Sequence, residues 1–161
     1  MSRVRQKQVH LWKSFWRSQI PLAVRTPWYC LLQGKSPCAQ ILYKHVKDLC
    51  DPICHVCAPQ SIAEHVDHFF FLCPKKRFVW EQVWPHFFGY PMSTHLVYRA
   101  IDLLHLPLQC LSLLSNESMI GCTLLCIWKA HWRFIFDGIP FDPLLVFKTF
   151  CHRLVLLSPA P

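Results

Sequence analysis

Acidic side chains are missing from the N-terminal part of this chain, because Asp48 is the first Asp or Glu in the sequence. The preceding stretch contains nine basic residues: Arg3, Arg5, Lys7, Lys13, Arg17, Arg25, Lys35, Lys44 and Lys47. The net charge of +8 is therefore concentrated in this segment. A segment with one sign of charge attracts polyanions through Coulomb forces and counterion release. A solvated helix face has the same composition, so the sequence leaves both interpretations open.

Paired carboxylates and glycine-rich loops are also absent. No two acidic residues are adjacent, and the chain contains only four glycines. Polymerases and nucleases need clustered carboxylates to bind metal ions, and phosphate-binding loops need several glycines at fixed spacing. We therefore expect no active site and no small-molecule substrate, and we predict that the protein is not an enzyme.

The sequence has no long hydrophobic run. Its most apolar stretch, residues 119–128, is much shorter than the ~20 residues that span a bilayer. Lys7, Lys13 and Arg17 interrupt any apolar core of a signal peptide. We expect an intracellular protein, in the nucleus or cytoplasm, with no membrane partner. In that reducing environment the ten cysteines are expected to bind metal rather than form disulfides.

Hydrophobic residues, which make up 53% of the chain, recur with helical periodicity. Helices are predicted near residues 9–16 and 78–84, and over residues 94–104, 117–136 and 143–157. The helix over residues 117–136 is predicted to be capped by Ser115 or Asn116 and to stop at Gly138. Three pairs of a capping residue and a proline mark helix starts: Thr26-Pro27, Ser36-Pro37 and Asp142-Pro143. The predicted fold class is mainly α.

Four potential metal ligands follow one another as C-x2-C-x10-H-x4-C, formed by Cys54, Cys57, His68 and Cys73. Three thiolates and one imidazole suit tetrahedral Zn(II), and four protein ligands leave no position for water. The pattern predicts one structural Zn(II) site. The alternative is that the cysteines are small buried hydrophobes and His68 is a core residue.

The residues between the ligands predict how the site is built. Ser61 and Glu64 match a capping box, which would begin a helix that carries His68 and ends near Cys73. Glu64 either caps this helix or accepts a hydrogen bond from the His68 imidazole. Three further side chains compete as ligands, of which the first is the strongest: Cys50, His55 and His65.

These motifs resemble the zinc-binding domain that follows the reverse transcriptase in non-LTR (LINE-like) retrotransposon polyproteins. The resemblance covers roughly residues 11–84, and its order and spacing make it specific. It is carried by Leu11-Trp12, Phe15-Trp16, Pro21, Arg25, Trp28, Gly34, Pro37, the four metal ligands, Glu64, Phe69 and Trp80. The chain departs from the family pattern at Cys30, Cys38 and His65, and none of these departures removes a ligand.

The resemblance implies a nucleic-acid-associated accessory of reverse transcription, with RNA or DNA as ligand and the reverse transcriptase of the parent element as a further partner. The charge distribution assigns nucleic-acid binding to Arg17, Arg25, Lys35, Lys44 and Lys47. A competing surface contains Lys75 and Lys76, beside the zinc ligands. Trp12, Trp16 and Trp28 either stack on unpaired bases or belong to the core. The alternative function is a protein-interaction or structural remnant that binds no nucleic acid.

The sequence also predicts three regions. A basic, Trp-containing helical segment covers residues 1–50, and the zinc-binding core covers residues 51–84. A C-terminal helical region covers residues 92–158, after a linker at residues 85–91 that contains Gly89. The complete prediction is a small zinc-stabilised helical domain followed by this helical region.

Overall fold

The computed structural model describes residues 9–18, 20–47, 51–58, 60–104 and 114–157. Its α-helices are, in chain order, α1 (Val9–Arg17), α2 (Leu22–Leu32), α3 (Ala39–His45), α4 (Pro74–Phe88), α5 (Thr94–Leu103), α6 (Asn116–Asp137) and α7 (Pro143–Leu157). A π-helical turn, His68–Leu72, precedes α4. Within the described ranges, β pairing is limited to one antiparallel bridge between Ile53 and Ala63. The prediction of a mainly α fold is confirmed.

Local capping determines the ends of the last two helices, as the sequence predicted. Ser115 Oγ accepts a hydrogen bond of 3.2 Å from the Ser118 N–H, and α6 ends at Gly138, whose φ is 67°. Asp142 Oδ1 accepts a hydrogen bond of 2.9 Å from the Leu144 N–H, with Pro143 as the first residue of α7. Helix α6 therefore begins at a side-chain cap and ends at a glycine, and α7 begins at a side-chain cap.

The starts of α2 and α3 differ from the prediction. Helix α2 begins at Leu22, so Pro27 lies inside it rather than at its first turn. Val24 and Trp28 are buried on one face of α2, and burying this face extends the helix upstream of the predicted start. In α3 the residue before the first helical position is Cys38, two residues beyond the predicted cap at Ser36.

Helix α6 is the centre of the molecule, because every residue from 118 to 127 is buried. Helices α2, α4 and α7 all pack against α6, and α4 also packs against α7. The Trp28 indole N–H donates a hydrogen bond of 3.2 Å to the Ile101 carbonyl oxygen and so ties α2 to α5. Helices from both ends of the chain therefore surround one core.

The segment expected to be a linker is partly helical. Pro85 lies inside α4, which continues to Phe88 and ends at Gly89 with φ 77°. The predicted division into three regions stays a prediction. Among the described helices, none has the length and hydrophobicity that crossing a bilayer requires.

Substituting Gly121 by alanine tests the close approach of α2 and α6. A Cβ atom at this position would overlap the Val24 side chain and lie 3.3 Å from the Trp28 ring. We expect Gly121→Ala to lower the free energy of unfolding by about 1–3 kcal/mol, although alanine is the better helix former. Lys129→Ala, at an exposed position of the same helix, should change it by less than about 0.5 kcal/mol. Urea unfolding measures both, and a stabilising Gly121→Ala would contradict this packing.

Candidate metal centre

The first two metal ligands lie in a loop that a short antiparallel pairing closes. The Cys54 N–H donates to the Ile62 carbonyl oxygen at 2.8 Å, and the Glu64 N–H donates to the Pro52 carbonyl oxygen at 2.8 Å. These two bonds flank the bridge between Ile53 and Ala63. They close the loop that contains Cys54 and Cys57, so both thiols point to the same side.

The other two ligands lie at the two ends of the π-helical turn. The Cys73 N–H donates a hydrogen bond of 3.1 Å to the His68 carbonyl oxygen, which is the i to i−5 pairing of a π-helix. Phe69, Phe70 and Phe71 within this turn are all buried. The wide turn therefore anchors three rings in the core while His68 and Cys73 reach the same point.

The four ligand atoms converge. The three Sγ atoms and one His68 ring nitrogen all lie within 4.8 Å of one another, and each of the four residues is buried. Cys57 Sγ is 3.3 Å from His68 Nε2. A tetrahedral Zn(II) with Zn–S bonds of about 2.3 Å needs sulfur atoms roughly 4 Å apart, so this arrangement fits one zinc ion.

The electrostatics of the four ligands suit a metal cation. The hydrogen bond between the Cys54 and Cys73 thiols raises the pKa of Cys54 and lowers the pKa of Cys73. The positive charge of Lys76, and to a smaller extent its backbone N–H, also lower the pKa of Cys73. Burial raises the pKa of Cys57 and lowers the pKa of His68. The imidazole is thus held in its neutral, ligating form. Zinc must displace the thiol protons, so acidification weakens its binding.

The polypeptide around the ligands differs from the predicted capping box. Ser61 has a φ of 46° and Ala63 is in the β bridge, so no helix begins there. The Glu64 carboxylate caps no helix of its own and instead accepts a hydrogen bond of 3.0 Å from the Ala39 N–H at the start of α3. The predicted capping box is wrong because the bridge between Ile53 and Ala63 keeps this segment extended. The predicted helical turn that carries His68 and ends near Cys73 is present as the π-helical turn His68–Leu72.

The competing ligands have other surroundings. His65 Nδ1 accepts a hydrogen bond of 3.1 Å from the His68 N–H, and His55 is exposed. Cys50 lies outside the described residues. In the part of the chain that the structure describes, the group that can hold a metal consists of Cys54, Cys57, His68 and Cys73.

Comparison with known proteins agrees with this donor set. Residues 1–80 match a protein-family model described as zinc-binding in reverse transcriptase. This half of the chain is a member of that family. No curated protein and no solved structure shows a significant match to the chain. The family and the Cys3His geometry together establish a zinc-binding domain with one zinc site.

Beside the zinc ligands, Glu64 and Lys76 of the zinc-binding domain form a buried polar cluster with His131 of α6. Lys76 Nζ lies 3.5 Å from Glu64 Oε2 and donates a hydrogen bond of 3.0 Å to His131 Nδ1. The ammonium group also lies 4.1 Å from the centre of the Phe69 ring. All three polar side chains are at most 2% exposed.

His131 is neutral in this cluster. Burial and the Lys76 charge lower the pKa of His131 to about 2. Because an ammonium group only donates, Nδ1 accepts and the ring proton is on Nε2, which faces Glu64 Oε1 at 3.6 Å. Lys76 and Glu64 therefore balance each other's charge, and His131 bridges them from α6.

Sequence reasoning assigned Lys76 to a surface, and the structure shows it to be fully buried. A sequence signal existed: Lys76 precedes Val79, Trp80 and Val83 at helical spacing, on the buried face of α4. The remoteness of His131 in sequence concealed its role, because only the packing of α6 brings it to Lys76.

The residues predicted to bind nucleic acid differ in their exposure to solvent. Four of them are exposed to solvent: Arg17, Lys35, Lys44 and Lys47. Arg25 is half-buried, and its guanidinium donates to the carbonyl oxygens of Ile20 and Ser18, each at 3.1 Å. Arg25 thus fastens the turn between α1 and α2. Of the three tryptophans, Trp28 belongs to the core, whereas Trp16 is half exposed.

Replacing any of the three cysteine ligands tests the site. We expect one zinc per chain, and Cys54→Ser, Cys57→Ser and Cys73→Ser should each lose zinc and helicity, because metal-binding energy here is also folding energy. Cys30→Ser, at a half-buried position of α2, is the matched control and should keep both. Elemental analysis measures the zinc content, and circular dichroism measures the helicity. Zinc-free protein from a reducing purification, with unchanged helicity in the three variants, would contradict the assignment.

Lys76→Met tests the buried cluster. Removing the ammonium group leaves the Glu64 carboxylate buried without its counter-charge, which should lower the free energy of unfolding by about 3 kcal/mol. Lys75→Met is the matched control at the exposed neighbouring position and should change it by less than about 0.5 kcal/mol.

Adding Glu64→Gln completes a double-mutant cycle. We expect the Lys76→Met/Glu64→Gln protein to be more stable than the sum of the two single effects predicts, because the second change removes the stranded charge. Additive effects in urea unfolding would mean that the two groups do not interact.

Proposed function

We propose that this chain is a non-catalytic accessory module that binds RNA or DNA, derived from a retrotransposon reverse transcriptase polyprotein. The observation that carries the proposal is a zinc-binding domain of the reverse-transcriptase family whose first acidic residue is Asp48. Before that residue, five basic side chains are exposed: Lys13, Arg17, Lys35, Lys44 and Lys47. A polyanion meets no repelling carboxylate from this segment.

The zinc site supports a structural role for the metal. All four ligands come from the protein and all four are buried, so a tetrahedral zinc ion has no open position for water or substrate. In this proposal the zinc ion organises the fold, and the basic segment meets the phosphates. Because Arg25 already donates to two backbone carbonyl oxygens, we assign it to fastening the turn rather than to phosphate contact.

A second candidate function is favoured by a different observation. Three apolar side chains near the ends of α6 and α7 are more than two-thirds exposed: Phe136, Val155 and Leu156. Exposed apolar surface of this kind is typical of protein interfaces. In this alternative the chain is an interaction or structural remnant that packs on the reverse transcriptase of the parent element and binds no nucleic acid.

A salt titration distinguishes the two candidates. The logarithm of affinity for a single strand should fall with the logarithm of salt concentration, with a slope of about −0.7 per phosphate contact. We expect Arg17→Gln/Lys44→Gln to make the slope shallower by roughly 1 to 2, because two phosphate contacts are lost. Fluorescence anisotropy with a labelled oligonucleotide measures it.

Two control variants locate the surface. Lys129→Gln, at an exposed position of α6, should leave the slope unchanged, and Lys75→Gln tests the competing site beside the zinc ligands. If only Lys75→Gln changes the slope, the phosphate-binding surface is near the zinc ligands. No binding at low salt would instead favour the interaction remnant.

A further inference from the structure

We propose that α1 and α2 present a stacking platform for unpaired nucleobases, so that the module prefers single-stranded RNA or DNA to duplexes. The platform consists of Trp12, Trp16 and Tyr29. This inference rests on the proposed nucleic-acid binding and adds the kind of strand that is bound. It follows from the exposure, the support and the charged surroundings of these three rings.

Two rings of the platform are exposed to solvent, and the Trp12 ring is half-buried beside them. Trp16 is 51% exposed and Tyr29 is 38% exposed. The Tyr29 ring lies 5.6 Å from the Trp12 ring and 5.7 Å from the Trp16 ring, measured between centroids. One tyrosine of α2 thus contacts two tryptophans of α1, with ring planes tilted by 56° and 45°, in one contiguous aromatic cluster.

Buried rings support the platform from below. Phe15 is fully buried and makes edge-to-face contacts with Trp16 at 5.2 Å and with Trp28 at 5.9 Å. Trp28 is fixed in turn by its hydrogen bond to the Ile101 carbonyl oxygen. Arg25 fastens the turn between the two helices. The platform is therefore preorganised, and a stacking base does not have to order it.

Basic side chains border the platform. Lys13 lies three residues before Trp16 and four residues before Arg17, so on the surface of α1 the exposed Lys13 side chain is a neighbour of each of these exposed side chains. Aromatic rings beside cations match a single strand, whose bases stack on the rings while its phosphates meet the charges. An apolar protein surface would leave these charges unpaired, which is why we favour nucleic acid as the occupant.

The preference for single strands has a geometric cause. In a duplex the faces of the bases are stacked on one another, so a protein ring cannot reach them without unstacking a step. The phosphates of a duplex remain accessible to Lys13 and Arg17. Loss of the rings should therefore affect single strands, whereas loss of the charges should affect both forms.

Trp16→Leu tests the platform, because leucine keeps an apolar cover over Phe15 and removes the aromatic face. We expect affinity for an unstructured 12-nucleotide oligouridine to fall about 5- to 100-fold, the range that loss of one stacking ring produces. Affinity for a 12-base-pair RNA duplex should change less than about twofold, and the salt slope should stay the same. Trp16→Phe should retain most of the single-strand affinity.

Two controls accompany these variants. Phe136→Leu removes an exposed ring on α6, distant in sequence from the basic segment, and should leave both affinities unchanged. Zinc content and urea unfolding of each variant confirm that it is folded. If Trp16→Leu is unstable, Tyr29→Leu removes the other exposed ring and should give the same selective loss.

The outcomes separate this inference from the function on which it rests. If the folded Trp16→Leu and Tyr29→Leu proteins bind oligouridine as well as the unchanged chain, the platform is wrong and the basic surface remains. An equal loss for single strand and duplex also contradicts stacking. If the unchanged chain binds neither form at low salt, the proposed function itself fails, and the exposed rings are then a protein-docking surface.

Discussion

An ammonium group removed from water loses several kcal/mol of hydration unless charged and polar partners surround it. Lys76 is fully buried, and its partners come from three parts of the chain. Glu64 extends from the zinc-ligand loop, Phe69 from the π-helical turn and His131 from α6. If any one of these elements moved away alone, a buried charge would be exposed to solvent or left without its partner. The position of α6 against the zinc-binding domain is therefore specified by polar contacts as well as by apolar packing.

The same residue also connects this packing to the metal. The charge and the backbone N–H of Lys76 both lower the pKa of Cys73, and its side chain contacts Glu64 and His131. Glu64 in turn holds the start of α3 through the Ala39 N–H. The zinc ligands, the start of α3 and the packing of α6 are thus connected through a small set of shared contacts.

Sequence reasoning succeeded where the determinants are local. The caps at Ser115 and Asp142 and the spacing of Cys54, Cys57, His68 and Cys73 act over a few residues, and the pattern of the sequence displays them. It failed where distant segments meet. The Ser61–Glu64 capping box does not form, because this segment pairs with the residues around Ile53. Helix α2 begins before Thr26-Pro27, because Val24 and Trp28 are buried on one of its faces.

The sequence alone also does not show which basic side chains are on the surface. Lys76, near the zinc ligand Cys73, is expected on a surface, because a sequence does not show which carboxylate will fold against it. Arg25, one of the nine cations before Asp48, has its guanidinium on two backbone carbonyl oxygens. Some cations of such a segment therefore hold the fold together, and others remain exposed to solvent. Only the three-dimensional contacts show which cations are which.

The hydrogen bond from Trp28 to the Ile101 carbonyl oxygen has an evolutionary consequence. Trp28 lies within the 1–80 stretch shared with the family, whereas Ile101 lies beyond it. A recombination event that transplanted only the shared stretch would carry an indole whose hydrogen-bond acceptor stayed behind. In this protein, separating the zinc-binding half from the helices that follow it would therefore leave a buried indole N–H without its acceptor.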